Sequence, residues 1–231
     1  MESTNNLKVK VFVLCSGGLD SVVTAYKARK NHPSAEMCLV SCDYYQQHSK
    51  EILYAIYHAE KMQVEHKVID LPRLSGALVD GSSIPDVPYS ELPEGVSPAY
   101  VSFRNGLMLA AATAVAHAWC MAAKGKALLY CGNHADDAAR WAYPDCTEEF
   151  MGSMASAIHT GTYGDVRLVC PFTFQTKAEI VEQGDKLNVE MGKTWSCYKG
   201  GGLHCGVCPT CRSRKEAFVI AQVKDCTEYE V

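Results

Sequence analysis

KVKVFVLCSGGLDS, residues 8–21, decides how the rest of the chain is read. Its first half, Lys8 to Cys15, is a short run rich in β-branched and aromatic residues, the signature of a buried strand. It ends at Ser16-Gly17-Gly18, and Leu19 to Arg29 then reads as a helix. Working outward, Met37 to Cys42 is a second apolar strand. A helix follows from Ser49 to Met62, with apolar residues at 52, 53, 56 and 59, and Val64 to Ile69 supplies a third strand. Lys126 to Cys131 and Val166 to Cys170 supply two more. Strands that alternate with helices pair in parallel and carry helices on both faces, so the expected fold is α/β, a doubly wound, mostly parallel sheet.

In such sheets ligands bind beyond the carboxyl ends of the strands, which is where Cys15, Ser16, Gly17, Gly18, Leu19, Asp20 and Ser21 fall. Two glycines let the backbone approach an anion closely. The helix start offers free N–H groups with a favourable dipole, and Ser16 and Ser21 add hydroxyl donors. Asp20 suits such a phosphate site only with a magnesium ion between carboxylate and phosphate. The plainer alternative is a glycine-rich turn with Ser16 as helix cap. Gly192-Lys193-Thr194 and Gly200-Gly201-Gly202 are discounted as nucleotide motifs, since neither follows a strand.

The chain has 231 residues, 48% hydrophobic and 21% charged, which excludes disorder, collagen and fibrous coil. Its net charge of −4 lacks the basic excess of a general nucleic-acid binder. The N-terminus, MESTNNLKVK, carries no apolar targeting segment, so a cytoplasmic protein with reduced cysteines is expected. Leu107 to Ala123 is apolar but mostly alanine and contains His117; it reads as a helix buried inside the protein, not a membrane span. Between about 71 and 99 stand five of the nine prolines. That stretch reads as a surface loop or as a lid over the site.

Twelve cysteines are many for this length, and four of them follow a pattern: Cys197, Cys205, Cys208 and Cys211. Two linked C-x-x-C steps put three thiolates on one tight turn, and four thiolates at about 2.3 Å suit a structural, tetrahedral Zn²⁺. An iron–sulfur cluster is the rival, and His204 a minor alternative ligand. The other eight cysteines read as small core residues, with Cys146 a possible exception. The expected division is residues 1–190 for the nucleotide domain and 191–231 for the cysteine region and a final helix.

SGGLDS after a first strand resembles the pyrophosphate (PP) loop of the N-type ATP pyrophosphatases, of adenine nucleotide alpha hydrolase-like fold. Together with the four-cysteine site, the chain resembles the 7-cyano-7-deazaguanine synthase (QueC) family along nearly its whole length. Tyr45-Gln46-Gln47-His48-Ser49-Lys50-Glu51 matches the family's Y-x-Q-R-H-x-x-E with Gln47 in place of arginine. Arg104-Asn105 matches its R-N, with Ser102 where proline is usual. Gly132 to Asp137 (GNHADD), Tyr143-Pro144-Asp145-Cys146 and Lys177-Ala178-Glu179 match further motifs, with two extra residues between the first pair.

The resemblance implies a C–N bond-forming ligase. The carboxylate of 7-carboxy-7-deazaguanine is adenylated by ATP with Mg²⁺, ammonia gives the amide, and a second ATP drives dehydration to the nitrile, for queuosine-type nucleosides. It also implies a homodimer, with small-molecule partners and neither nucleic acid nor membrane bound directly. Asp20, Lys177, Arg104 and His48 are the expected catalytic residues. Gln46, His48, Arg104, Asn105, His134, Asp137, Tyr143 and Asp145 are the expected substrate contacts. Thr176-x-x-Glu179 is also a formal capping box, so Glu179 has a purely structural reading. Asp137 and Asp145 suit the amine and ring N–H of a purine-like base, and Trp141, Tyr143 and Phe103 are candidates to stack on it. Three rivals stand beside this reading. The first is a relative that stops at the amide or joins deazaguanine to another acceptor; the second is a PP-loop tRNA-modifying enzyme; the third is a non-catalytic nucleotide-binding zinc module.

Overall fold

The computed structural model describes residues 7–44, 50–71, 101–199 and 201–231. Gln46, His48 and the proline-rich stretch expected to act as a lid therefore lie outside the described residues. Five strands form one sheet, all pairs parallel: β1 (Val9–Leu14), β2 (Glu36–Asp43), β3 (Glu65–Asp70), β4 (Lys126–Tyr130) and β5 (Val166–Val169), in the order β3-β2-β1-β4-β5. The longer helices are α1 (Leu19–Asn31), α2 (Lys50–Met62), α3 (Arg104–Ala123), α5 (Glu148–Gly161), α6 (Lys177–Lys186) and α7 (Pro209–Ile220), with a short α4 at Ala135–Ala138.

The two-residue alternation of β1 sorts the core. Val11 and Val13 face one side, where they join Val22, Val23, Ala55, Ile180, Val181 and Phe218 from α1, α2, α6 and α7. Phe12 faces the other, with Leu109, Ala112, Ala116, Met151 and Ile158 from α3 and α5. The strand is buried on both faces, which is why its sequence reads as a nearly unbroken apolar run.

The reading of Leu107–Ala123 as a helix buried inside the protein needs correction. Only one stripe of α3 is buried, Gly106, Leu109, Ala112, Thr113, Ala116 and Cys120. Met121, on the outer side, is 62% exposed. Alanine's small side chain suits either environment, so the apolar run extends past the face that packs on the sheet. By length and composition α3 is the one helix among the described residues that passes for a membrane span.

Strand order locates the site. From β1 the chain winds outward through β2 and β3, then returns to the other side of β1 to build β4 and β5. The direction reverses between β1 and β4, and the crevice beyond their carboxyl ends is where such sheets bind ligands. Residues 15–21 follow β1 there, and residues 131–137 follow β4.

Candidate functional site

The turn after β1 is built to expose backbone. Gly17 has φ +93°, and a Cβ on it would overlap the carbonyl oxygen of Glu51 at the start of α2. Gly18 is the residue preceding α1, and no side chain caps that helix. Ser16 is not the cap; its Oγ accepts the N–H of Gly18 (3.2 Å) and lies 3.3 Å from Ser21 Oγ, which itself meets the Gly18 carbonyl at 3.0 Å. Cys15 is fully buried beneath the turn, and burial pushes its thiol up to about 11. It is a protonated packing residue at neutral pH.

Asp20, in the first turn of α1, meets residues brought from the far end of the chain. Its Oδ2 accepts from Lys177 Nζ at 3.0 Å and lies 3.6 Å from His134 Nε2. Burial opposes ionisation, but the Lys177 ammonium and His134 prevail and hold the Asp20 carboxyl well below the usual range. Asp20 Oδ1 is buried with no hydrogen-bond partner among the described residues. An ionised oxygen left in that condition fits a cation such as Mg²⁺.

His134 is 1% exposed. Its Nδ1 accepts the Asp137 N–H (3.4 Å), so Nε2 carries the proton and points between Asp20 and the Asp137 carboxylate, 3.3 Å away. The structure thus groups His134 and Asp137 with the phosphate turn. Lys177 opens α6, and its own N–H is taken by Asp136 (2.7 Å). The Thr176–Glu179 capping box is present on both sides, which accounts for Glu179 structurally.

A second group forms where α3 begins. Arg104 is half-buried, donates to the Tyr44 hydroxyl at 3.4 Å, and has Tyr198 and Asp145 as further electrostatic neighbours. Asp145, 3% exposed, accepts the Asn105 N–H at 2.9 Å with one oxygen, while its Oδ1 has no partner among the described residues. Burial raises its carboxyl above the usual range. Asn105 Nδ2 reaches Cys146 Sγ at 3.1 Å, so Cys146 belongs to this network as a buried thiol. Tyr143 and Tyr198 share a hydroxyl–hydroxyl contact. Phe103 packs edge-on against Phe150, ring centroids 5.5 Å apart, and Trp141 is 61% exposed.

Glu51 belongs to the matched motif but had no role assigned from sequence. Burial pushes its carboxyl up to about 7, against the opposing pull of Arg104. A group raised in the folded state contributes fully below its unfolded pKa, and that contribution is lost as pH rises through the folded value. Stability is therefore expected to fall between about pH 4.5 and pH 7 on account of Glu51. Glu51→Gln should be more stable than the parent by about 1–3 kcal/mol at pH 8 and no different at pH 4. Thermal melts at the two pH values check this; a difference that does not change with pH would refute it.

The four cysteines converge as expected. Cys197, Cys205, Cys208 and Cys211 are buried and their sulfur atoms lie within 4.8 Å of one another. Cys197 Sγ accepts the N–H groups of Lys199 and Cys205 (both 3.3 Å), and Cys205 Sγ that of Cys208 (3.3 Å). Backbone N–H groups aimed at sulfur stabilise thiolates, so the set fits a soft divalent metal. His204 does not join them; its Nε2 accepts the Ser196 N–H at 3.1 Å. Among the remaining cysteines, Cys226 departs from expectation in being exposed.

Tyr44 and Arg214 were missed from sequence, and Tyr198 had no role assigned there. Tyr198 had a signal, since it follows the first cysteine directly. Arg214 had none: it is fully buried on α7 and donates to Thr194, Ser196, Thr227 and the Met191 carbonyl.

A doubly wound parallel sheet, a glycine turn at its switch point and a carboxylate–lysine pair beside that turn define a protein of the PP-loop class, here with a four-cysteine group added. Comparison with known proteins narrows this. The family model described as queuosine biosynthesis protein QueC matches residues 10–222. A 7-cyano-7-deazaguanine synthase from Porphyromonas gingivalis is 40% identical over 224 residues, covering 94% of this chain and 96% of that protein. Another of that name from Agrobacterium fabrum is 42% identical over 229 residues, covering 96% and 92%. Among solved structures, the U34-tRNA thiolase NcsA from Methanococcus maripaludis, determined with its 4Fe-4S cluster, matches with a TM-score of 0.49 at 15% identity, covering 94% of this chain and 65% of that one. A likeness that distant speaks to neither substrate nor metal. The chain belongs to the QueC family.

Proposed function

We propose that this protein is a 7-cyano-7-deazaguanine synthase, converting 7-carboxy-7-deazaguanine, ammonia and ATP to the nitrile. The observation that carries the reading is the ionised, half-satisfied Asp20 with its Lys177 partner, present together with the Arg104–Asp145 group in a chain that matches a QueC relative over 94% of its length.

In the first half-reaction the substrate carboxylate attacks the α-phosphorus of ATP and expels pyrophosphate. The backbone of Ser16 to Ser21 cradles the departing phosphates, and Lys177 supplies positive charge where negative charge gathers. Asp20 and pyrophosphate oxygens would hold Mg²⁺, which lowers the charge on the leaving group. Ammonia then displaces AMP to give the amide. In the second half-reaction the amide oxygen attacks the α-phosphorus of another ATP and expels pyrophosphate; loss of AMP and both amide protons from the adenylated amide then leaves the nitrile. Arg104 meets the carboxylate, while the free oxygen of Asp145 accepts an N–H from the pyrimidine edge of the base. Asn105 holds that carboxyl in place, and Tyr143 closes the same side. His134 and Asp137 orient Asp20 rather than touch the base. Gln46 and His48 complete the substrate pocket on the strength of the family motif alone.

The four cysteines hold Zn²⁺ as a structural ion, and residues 191–231 act as a region added to the nucleotide domain. On the same reading the protein is a cytoplasmic homodimer that engages small molecules and not nucleic acid, which the net charge of −4 supports. The test is a mass spectrum of products from ATP, magnesium, ammonium and 7-carboxy-7-deazaguanine. The nitrile is expected. The amide alone would mean that the second activation is missing, and no product from metal-loaded protein would overturn the substrate assignment.

A further inference from the structure

Residues 194–198 run between the metal-fit cysteines and the two halves of the site, and they touch both. Trp195 donates its backbone N–H to the Gly17 carbonyl at 3.0 Å, directly on the phosphate turn. Three residues on, the Tyr198 hydroxyl contacts Tyr143 and sits in the field of Arg104.

The segment is pinned along its length. Thr194 and Ser196 accept from Arg214 at 2.9 and 3.0 Å. The Trp195 indole donates to the Cys197 carbonyl at 2.9 Å, and its ring stacks on Tyr54 with centroids 5.9 Å apart. The Ser196 N–H is taken by His204, as described above. Cys197, fully buried, is one of the four candidate metal ligands. Cys197 thus joins a segment held by Arg214 on one side to the candidate metal site, so a metal bound there would add a fixed point between Trp195 and Tyr198.

We propose that residues 194–198 form a strap through which the metal site positions both the phosphate turn, at Gly17, and the guanidinium of Arg104, making Trp195 and Tyr198 positioning residues of the active site. The metal is then coupled to ligand binding as well as to folding. The strap transmits through two contacts of different kind: a backbone hydrogen bond that fixes a turn containing a left-handed glycine, and a phenol that meets Tyr143 beside Arg104.

The assignment of Arg104 to the substrate carboxylate rests on the function proposed above, whereas the Gly17 contact does not. The first measurement therefore uses ATP with magnesium alone. Calorimetric titration of metal-loaded protein is compared with the same protein after chelation under reducing conditions. Apparent ATP affinity should weaken about 5- to 50-fold on metal removal while the far-ultraviolet circular dichroism is retained. Unchanged affinity would overturn the strap, and so would a loss of affinity that tracks loss of helical signal. The second measurement is Tyr198→Phe, which keeps the ring and drops the hydroxyl. KM for 7-carboxy-7-deazaguanine should rise about tenfold, with KM for ATP and metal content unchanged. Kinetics equal to the wild type, or equal rises in both KM values with metal loss, would overturn the Arg104 arm. A wild-type protein that refuses the deazaguanine acid would sink the functional reading and leave the ATP titration still decisive for the strap.

Discussion

Asp20→Asn is expected to lower kcat by about 10²–10³-fold, with the fold intact. The amide is nearly isosteric with the carboxylate, so the Thr24 hydroxyl still meets the Asp20 carbonyl (2.7 Å) and α1 keeps its first turn. What disappears is charge. The Asp20 carboxylate faces Lys177 with one oxygen and lacks a partner for the other. Without it, the one buried anionic oxygen there that lacks a partner is gone, the Asp137 carboxylate is left as the nearby anion, and the Lys177 ammonium loses its ion-pair partner. Steady-state kinetics across a magnesium series, with pyrophosphate release as readout, checks this. A variant restored to wild-type rate by higher magnesium would place the loss in ion affinity. A variant with wild-type kcat at ordinary magnesium would remove Asp20 from the phosphate chemistry.

Gly17→Ala is expected to destabilise the protein by about 2–4 kcal/mol and to abolish measurable ATP binding. Two faults coincide. At φ +93° an L side chain is strained, and the new methyl would strike the Glu51 carbonyl and crowd the Ala55 amide, both backbone atoms of α2 that cannot rotate away. Either α2 must move, carrying Glu51 and the buried Ala55 with it, or the turn must flip and lose the Trp195 hydrogen bond to its carbonyl. Gly18→Ala is the control. Gly18 has φ −71°, and a methyl there would meet Ser16 Oγ at 3.2 Å and the Trp195 carbonyl at 3.5 Å, contacts that small shifts absorb. That variant should stay within about 1 kcal/mol of the parent in denaturant melts. Equal losses for the two variants would mean that the turn needs small residues generally, not a left-handed glycine.

The architecture was legible because it rests on local signals. Each of the five expected strands is present within a residue or two of its sequence bounds, and every pair is parallel. Apolar runs of strand length alternating with helical spacing admit few other arrangements. The cysteine cluster was legible for the same reason: three of its members fall within seven residues, Cys205 to Cys211, so spacing nearly determines their geometry. The capping box at Thr176 and Glu179 was also a local matter, and it removes Glu179 from the chemistry. The reading of α3 as buried inside the protein held for one stripe only, because an alanine-rich helix has no strong amphipathic contrast, and composition alone does not say which faces have partners.

The sequence by itself determined the sheet, its glycine turn, the thiolate set and, through motif likeness, the family. Tertiary structure alone decided who meets whom. Asp20 and Lys177 lie 157 positions apart, and their pairing exists only because α1 and α6 share one face of the sheet. Arg214 looks like any surface arginine in sequence, yet it is fully buried and organises residues 191–196. His134 stands beside Asp20 because its ring is set by the short turn after β4. Periodicity and spacing are written over a few residues, where bond geometry limits the outcomes. Ion pairs, orphaned oxygens and buried cations depend on how distant elements pack, and that is settled only by the whole core closing at once.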